Sequence, residues 1–230
     1  MSEAATPKPT SAGPKSPWYR SPFVIAFVLG AIALTVLPFL QTFAMRAPEP
    51  VASLGAWKLT DQDGKPIGAD ELKGTVWIAS IFFSRCATVC PPQQEAMAKI
   101  LKHTDDLRSP SKPPIKLVSF TVDPEFDTPA VLTSYAKRLG VTGPVAAGTW
   151  SFVTGAEADL KDLLVKRMFV EVGDKQALPG DAGLFDIAHT SRFVLVDQNG
   201  DVRGYWETDD LGRGNLINAA RLLWKRGPRP

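Results

Sequence analysis

Two cysteines carry the most evident chemistry of this sequence. Cys86 and Cys90 are its only cysteines, and three residues separate them. Two thiols at this spacing can form a redox dithiol, bind a soft metal ion such as Cu(I) or zinc, or close a local disulfide. The pair excludes a disulfide-dense secreted scaffold, and it excludes a zinc site built from four cysteines.

The cysteines lie between a predicted strand and a predicted helix. Residues 75–83 (TVWIASIFF) form an apolar run typical of a strand buried on both faces. The two prolines after Cys90 are tolerated in the first turn of a helix. Free N–H groups at that helix end and the charge of Arg85 both favour the thiolate, which binds metals and attacks disulfides. This position argues against a pair of cysteines used only for packing or as an inert local disulfide.

Strand and helix patterns alternate along the rest of the chain. A strand–helix alternation that ends in an antiparallel hairpin predicts an α/β fold with a mixed sheet. With a cysteine loop after the first central strand, the expected form is thioredoxin-like with an N-terminal β-hairpin. We predict strands at 56–60, 75–83, 115–122, 150–153, 191–196 and 202–207, helices at 91–103, 129–139, 157–169 and 210–224, and a long loop at 171–188.

Two histidines are candidates for a third ligand beside the thiols, because imidazole suits copper and zinc. His103 lies roughly 20 Å from Cys90 at ~1.5 Å per helical residue, so we expect it to be a solvated helix-end residue. His189 stands just before the predicted strand 191–196. In a thioredoxin-like fold, the loop entering that strand lies against the cysteine loop. His189 therefore has a route to the site, although a lone histidine there can also be an ordinary polar residue.

The N-terminal region predicts a membrane anchor. Residues 21–45 carry no charge, and Thr35 is the only polar side chain in the 18-residue core at 23–40. About 20 apolar residues span a bilayer, whereas the apolar part of a cleaved signal peptide is usually about 7–15 residues long. An uncleaved single transmembrane helix is the preferred interpretation. No cysteine follows this segment closely, which excludes a bacterial lipoprotein anchor.

The charges before this segment predict its orientation. Lys8, Lys15 and Arg20 against Glu3 place the tail in the cytoplasm by the positive-inside rule. We predict a disordered tail at 1–20, an anchor at 21–45, a linker at 46–52 and a thioredoxin-like domain at 53–230. The expected location is the bacterial inner membrane with the domain in the periplasm, and the mitochondrial inner membrane is the alternative. A net charge of +2 does not indicate a nucleic-acid partner.

Four segments, taken together and in this order, resemble the Sco/SenC family of copper-binding cytochrome oxidase assembly proteins. They cover the chain from about residue 53 to its end. They are residues 57–64 (WKLTDQDG), residues 82–91 with their C-x-x-x-C-P, residues 121–129 (TVDPEFDTP), and His189-Thr190-Ser191 with the following 193–200.

This resemblance implies that Cys86, Cys90 and His189 bind one copper ion. Whether the ion is carried as Cu(I), as Cu(II) or as both is left open by the sequence. The implied role is that of a metallochaperone. It would deliver copper to the dinuclear site of a terminal oxidase, or reduce the cysteines of that site beforehand. The implied partners are the copper-site subunit of the oxidase and another periplasmic copper chaperone.

The sequence departs from the family pattern near the cysteines. Ala87-Thr88 stand where the family usually has Pro-Asp, Ser84-Arg85 replace a Thr-His type of pair, and Phe126 replaces a charged residue. For Asp123 and Asp127 we prefer a role in ending a strand and starting a helix over a role around the site.

Two other functions remain open. A thiol–disulfide oxidoreductase would use Cys86 as nucleophile and Cys90 as resolving thiol, without need of His189. A peroxiredoxin-like peroxidase ranks last, because the sequence context of its peroxidatic cysteine is missing. Whether the protein is an enzyme at all is left open by the residues alone.

Overall fold

The computed structural model describes residues 19, 21–44, 47–86, 90–141, 149–177, 185–189 and 191–228. Side chains are not described at 38–44, 174–177, 185–186 and 188–189. The chain divides into two compact units, residues 1–46 and residues 47–230. All but one of the residues of the predicted tail, and the linker residue Arg46, lie outside the described part.

The first unit contains one helix, α1, at Pro22–Ala44. It covers nearly the same residues as the predicted anchor. Taken over the described residues, however, the chain has no helix whose length and hydropathy would let it cross a membrane. The anchor is therefore not confirmed.

The second unit is built around a mixed sheet of eight strands. Its spatial order is β1-β10-β9-β4-β5-β6-β2-β3, and β7 and β8 form a separate two-stranded sheet. The strands are β1 Ala52–Ser53, β2 Lys58–Asp61, β3 Pro66–Gly68, β4 Trp77–Phe82, β5 Lys116–Thr121, β6 Trp150–Thr154, β7 Val172–Ala177, β8 Phe185–His189, β9 Phe193–Val196 and β10 Asp201–Trp206. The predicted N-terminal hairpin is confirmed as β2 and β3, which pair antiparallel.

Strand β4 lies at the centre of this sheet and leads into the cysteine loop. It pairs parallel with β5 and antiparallel with β9. All six of its residues are buried. Ile78 and Phe82 pack into a cluster on one face, while Trp77, Ala79 and Ile81 pack into a second cluster on the other. Both faces are covered, which is why this segment reads as a continuous apolar run.

Four helices belong to this unit. They are α2 Cys90–Thr104, α3 Pro129–Arg138, α4 Glu157–Lys161, which continues as a π-helical segment at Asp162–Arg167, and α5 Asp210–Arg226. Two predicted helix starts are confirmed. Thr128 is the N-cap of α3 with proline in the first turn, and Asp209 caps α5 by accepting a hydrogen bond from Gly212 N at 2.7 Å.

The predicted loop at 171–188 is wrong. The chain forms β7 and β8 there, paired antiparallel with Val172 opposite His189 and an irregular register between Val172 and Lys175. Gly173 and the neighbouring charged residues break the alternation of apolar and polar side chains by which a strand is recognised. His189 consequently ends a strand instead of lying in a loop.

Candidate metal centre

The two cysteines lie at the carboxyl end of β4 and the amino end of α2. Cys86 is partly exposed, Cys90 is buried, and neither is joined in a disulfide. Cys90 is the first residue of α2, and its backbone N–H donates to Cys86 Sγ at an N···S distance of 3.4 Å. A helix N-terminus that directs an N–H at sulfur favours negative charge on that sulfur. The residues between them, 87–89, lie outside the described part.

Asp127 holds the start of the cysteine loop. Its carboxylate accepts a hydrogen bond from Ser84 N at 3.0 Å, and it also accepts from the hydroxyls of Ser84 and Thr121. Burial raises the pKa of Asp127. The hydrogen bonds from Ser84 and Thr121 lower this pKa, but the effect of burial is larger. The expectation that Asp127 only starts a helix is therefore wrong, because the side chain also fixes the backbone two residues before Cys86.

Asp123 plays a parallel part through Arg85. Arg85 Nη2 lies 2.6 Å from Asp123 Oδ2, and the guanidinium carbon lies 3.9 Å from the centre of the Phe126 ring. The expectation that Asp123 only ends a strand is also wrong. The charge of Arg85 is directed at this carboxylate, so less of it acts on Cys86 than the sequence suggests. Two of the departures from the family pattern, Arg85 and Phe126, are thus in contact with each other.

Tyr135 of α3 lies close to both cysteines on the inner side of the site. Burial raises the pKa of Tyr135, and the negative charge of Cys90 and Cys86 raises it further. Its ring stacks on Phe82 at a centroid distance of 5.1 Å. Tyr135, Phe82 and Cys90 belong to one buried cluster, and Cys86 packs against it, so both cysteines border an apolar wall on this side.

The segment that follows His189 lies beside the helix that begins with Cys90. Strand β9 runs antiparallel to β4, so the start of β9 lies beside the end of β4, where the cysteine loop begins. Gln93 of α2 donates from Nε2 to the carbonyl oxygen of Ser191 at 2.9 Å. Ser191 is two residues beyond His189, a span of roughly 7 Å when extended. The side chain of His189 lies outside those that the structure describes.

His103 is confirmed as an exposed residue at the far end of α2. Its Nδ1 lies 2.7 Å from the carbonyl oxygen of Lys99, one turn earlier. Among the described side chains, no group of three or more His, Cys, Asp or Glu residues could hold a metal ion. Two thiols and a nearby histidine-bearing segment are thus what the structure brings together, and thiolate with imidazole is a donor set suited to copper or zinc.

Three comparisons with known proteins agree with this architecture. The chain is 31% identical over 146 residues to the SCO1 protein homolog of Bacillus subtilis, covering 62% of this chain and 67% of that protein. It is similar to Bradyrhizobium japonicum ScoI with copper bound, with a TM-score of 0.59 and 22% identity over 74% of this chain and 98% of that one. It is also similar to BsSco, a Sco-family cytochrome c oxidase assembly protein with a disulfide switch, with a TM-score of 0.62 and 24% identity over 78% and 98% of the chains.

The last two similarities establish the fold: a mixed α/β sheet that matches Sco structures. The family model for SCO1/SenC matches residues 46–223, which is most of the chain and includes both cysteines and His189. The protein belongs to the SCO1/SenC family.

Proposed function

We propose that this protein is a metallochaperone that binds one copper ion through Cys86, Cys90 and His189. It carries the ion to the dinuclear copper site of a terminal oxidase, or prepares that site. The observation that carries the proposal is the hydrogen bond from Gln93 to Ser191. It ties the segment after His189 to the helix that begins with Cys90, which supports a site that draws on both cysteines and on the segment that carries the histidine.

The surroundings of the cysteines support copper as the ion. Thiolates select Cu(I) over harder ions, and imidazole accepts copper in both oxidation states. The N–H of Cys90 and the apolar wall formed by Tyr135 and Phe82 suit a thiolate-bound ion of low charge. Membership of a family that includes a copper-bound ScoI and an oxidase assembly protein supports both the cargo and the recipient, which is the copper-site subunit of an oxidase. A second copper chaperone is the proposed source of the ion.

The test is Cu(I) binding by the reduced full chain in detergent, measured by competition with a chromophoric Cu(I) chelator. We expect one Cu(I) per chain, with an affinity at least about tenfold lower in His189→Ala. His103→Ala is the matched control, since this exposed histidine lies at the other end of α2. Binding that does not depend on His189 would contradict the three-ligand site.

A thiol–disulfide oxidoreductase is the second candidate, favoured by the two neighbouring cysteines, which are not joined in a disulfide, and by the disulfide switch of BsSco. In this reaction the Cys86 thiolate attacks a disulfide of the partner and forms a mixed disulfide. The Cys90 thiolate then attacks Cys86 sulfur, which releases the reduced partner and leaves the Cys86–Cys90 disulfide. Both functions use the same two thiols, and these thiols bind Cu(I) only while they are reduced, because a disulfide cannot hold the ion. Oxidation would therefore release the ion, and an oxidised protein that binds Cu(I) as tightly as the reduced one would contradict this switch.

We further propose that α1 is a membrane anchor and that the second unit lies in the periplasm of a bacterial cell. The 23 residues of α1 include no acidic or basic side chain. Phe23, Phe27 and Leu34 are exposed in the isolated chain, as lipid-facing side chains would be. An anchored chaperone would act close to an oxidase in the same membrane.

A further inference from the structure

Gln93 is a buried amide whose hydrogen bonding is incomplete. It is 2% exposed, and its Nε2 donates to Ser191 O at 2.9 Å. Its Oε1 is buried and has no hydrogen-bond partner among the described residues. A buried acceptor left in this state lowers stability, whereas an apolar side chain of the same length would not. Packing therefore does not account for an amide at this position. What the amide of Gln93 provides, and an apolar side chain would not, is the hydrogen bond to Ser191.

That contact joins two parts of the candidate metal centre. Gln93 follows Cys90 by three residues in α2, so both lie on neighbouring positions of one helix face. Ser191 follows His189 by two residues, and on its other side His189 is paired with Val172. Ser191 itself is exposed, so water can satisfy its carbonyl oxygen if the amide is removed. The main effect of the hydrogen bond is thus to fix the position of the histidine segment. It is not needed to satisfy the carbonyl oxygen of Ser191.

We propose that Gln93 is a positioning residue for the copper ligand His189. It holds the segment after His189 against the cysteine helix, so the imidazole is presented to an ion already bound by Cys86 and Cys90. This inference rests on the proposed function. Without the hydrogen bond the two thiolates still bind Cu(I), but the third ligand must be ordered when the ion binds, and the affinity falls.

The first experiment compares Gln93→Met with Gln94→Met in the full chain in detergent. Gln94 is the matched control: it is also a buried amide of α2 with an unsatisfied atom, but it accepts from Ser119 Oγ at 3.3 Å on the sheet. We expect Gln93→Met to lower the Cu(I) affinity about tenfold, the lower end of the usual loss for groups that orient metal ligands. The unfolding midpoint of the copper-free chain should be unchanged or higher, and Gln94→Met should leave the affinity unchanged.

The second experiment asks whether Gln93 acts through His189. In a His189→Ala background, Gln93→Met should cause no further loss of affinity. In the wild-type background it should weaken the nitrogen hyperfine coupling in the Cu(II) electron paramagnetic resonance spectrum, which a general loss of stability would not do. Gln93→Glu, which replaces the donor by an acceptor, should repeat the loss if Gln93→Met fails to fold.

If Gln93→Met lowers the Cu(I) affinity equally in the wild-type and His189→Ala backgrounds, the positioning role is overturned. An unchanged Cu(I) affinity in both Gln93 variants would overturn it as well. If His189→Ala binds Cu(I) weakly while Gln93→Met binds normally, the positioning role alone is overturned. If His189→Ala itself binds normally, the three-ligand site and the positioning role are both overturned.

Discussion

At the scale of single residues, the cysteine loop is held by side chains that come from the Asp-Pro segment. Asp127 binds Ser84, and Asp123 binds Arg85, so both residues before Cys86 are fixed from one place. The sequence showed the carboxylates and the loop but not their pairing, because about forty residues separate them. One signal was available. Arg85 and Phe126 are both departures from the family pattern, and two departures that contact each other are the expected trace of a paired change.

Asp127 predicts a pH dependence of stability. Burial raises its pKa in the folded chain above the ordinary value of about 3.9, so folding is linked to proton uptake at this group. The stabilising contribution of the protonated group is complete below the unfolded pKa and is lost as pH rises through the folded pKa. Relative to Asp127→Asn, which cannot titrate, the free energy of unfolding of the wild type should fall over this window and then level off.

Urea unfolding of residues 47–230 at a series of pH values from about 3.5 to 7 measures this difference. Both core clusters lie within these residues, so the fragment is suited to the measurement. Asp106→Asn is the control, because the pKa of this exposed group is lowered by its hydrogen bond with Arg221 and should give the opposite sign. A free energy of unfolding of the wild type that rises with pH relative to that of Asp127→Asn would contradict the prediction.

At the scale of elements, the sequence predicts best where a single local signal decides. The apolar runs became β4, β5 and β9, and the helices predicted to begin at residues 129 and 210 begin there as α3 and α5. β7 and β8 were missed because Gly173 and the charged residues beside it hide the strand pattern, although Ile187 of β8 packs into the core. The change from α-helix to π-helix at Asp162–Arg167 was also not predicted, because it depends on packing and not on the local composition.

A buried ion pair within the β9–β10 hairpin gives a prediction at this scale. Arg203 Nε donates to Asp197 Oδ2 at 2.8 Å, both side chains are 3% exposed, and Arg203 Nη1 donates to Pro48 O at 2.7 Å. Arg203→Met leaves a buried carboxylate without its cation, which costs about 3–5 kcal/mol of unfolding free energy. Arg192→Met breaks an exposed pair with Glu207 in the same hairpin and should cost less than ~1 kcal/mol.

Urea unfolding of residues 47–230 also measures these two variants. The difference between their two losses of unfolding free energy is the informative quantity, because each variant loses one guanidinium, Arg203 from β10 and Arg192 from the position just before β9. A loss below ~1 kcal/mol in Arg203→Met would mean that the buried pair contributes no more than a surface one.

At the scale of the whole molecule, the candidate site is assembled from three distant parts of the chain. The cysteines, the Asp-Pro segment and the histidine segment meet because β4 lies between β5 and β9 in the sheet. The thioredoxin-like expectation predicted that the histidine segment lies against the cysteine loop, but it did not place the Asp-Pro segment there. It did not predict the hydrogen bond between Gln93 and Ser191, because that contact depends on the conformation of the chain around His189.

The anchor gives the last prediction, which concerns where the whole molecule resides. If α1 lies in a bilayer, the full chain expressed in a bacterial host should stay in the membrane pellet after alkaline carbonate washing, and residues 47–230 should be soluble. Leu34→Arg places a charge near the middle of α1, at an insertion cost of about 2.5–3.5 kcal/mol, and should move much of the chain to the soluble fraction. Leu211→Arg, at an exposed position of the second unit, should not.

Sidedness follows from the same cells. Cys86 is partly exposed and Cys90 is buried, so a membrane-impermeant maleimide should label Cys86 in spheroplasts as fully as in lysed cells if the second unit is periplasmic. Labelling that requires lysis would place the thiols in the cytoplasm, where a copper site facing a periplasmic oxidase subunit could not operate. A full chain that is soluble after the carbonate wash would instead contradict the anchor, and the proposed delivery of copper to an oxidase would then require diffusion.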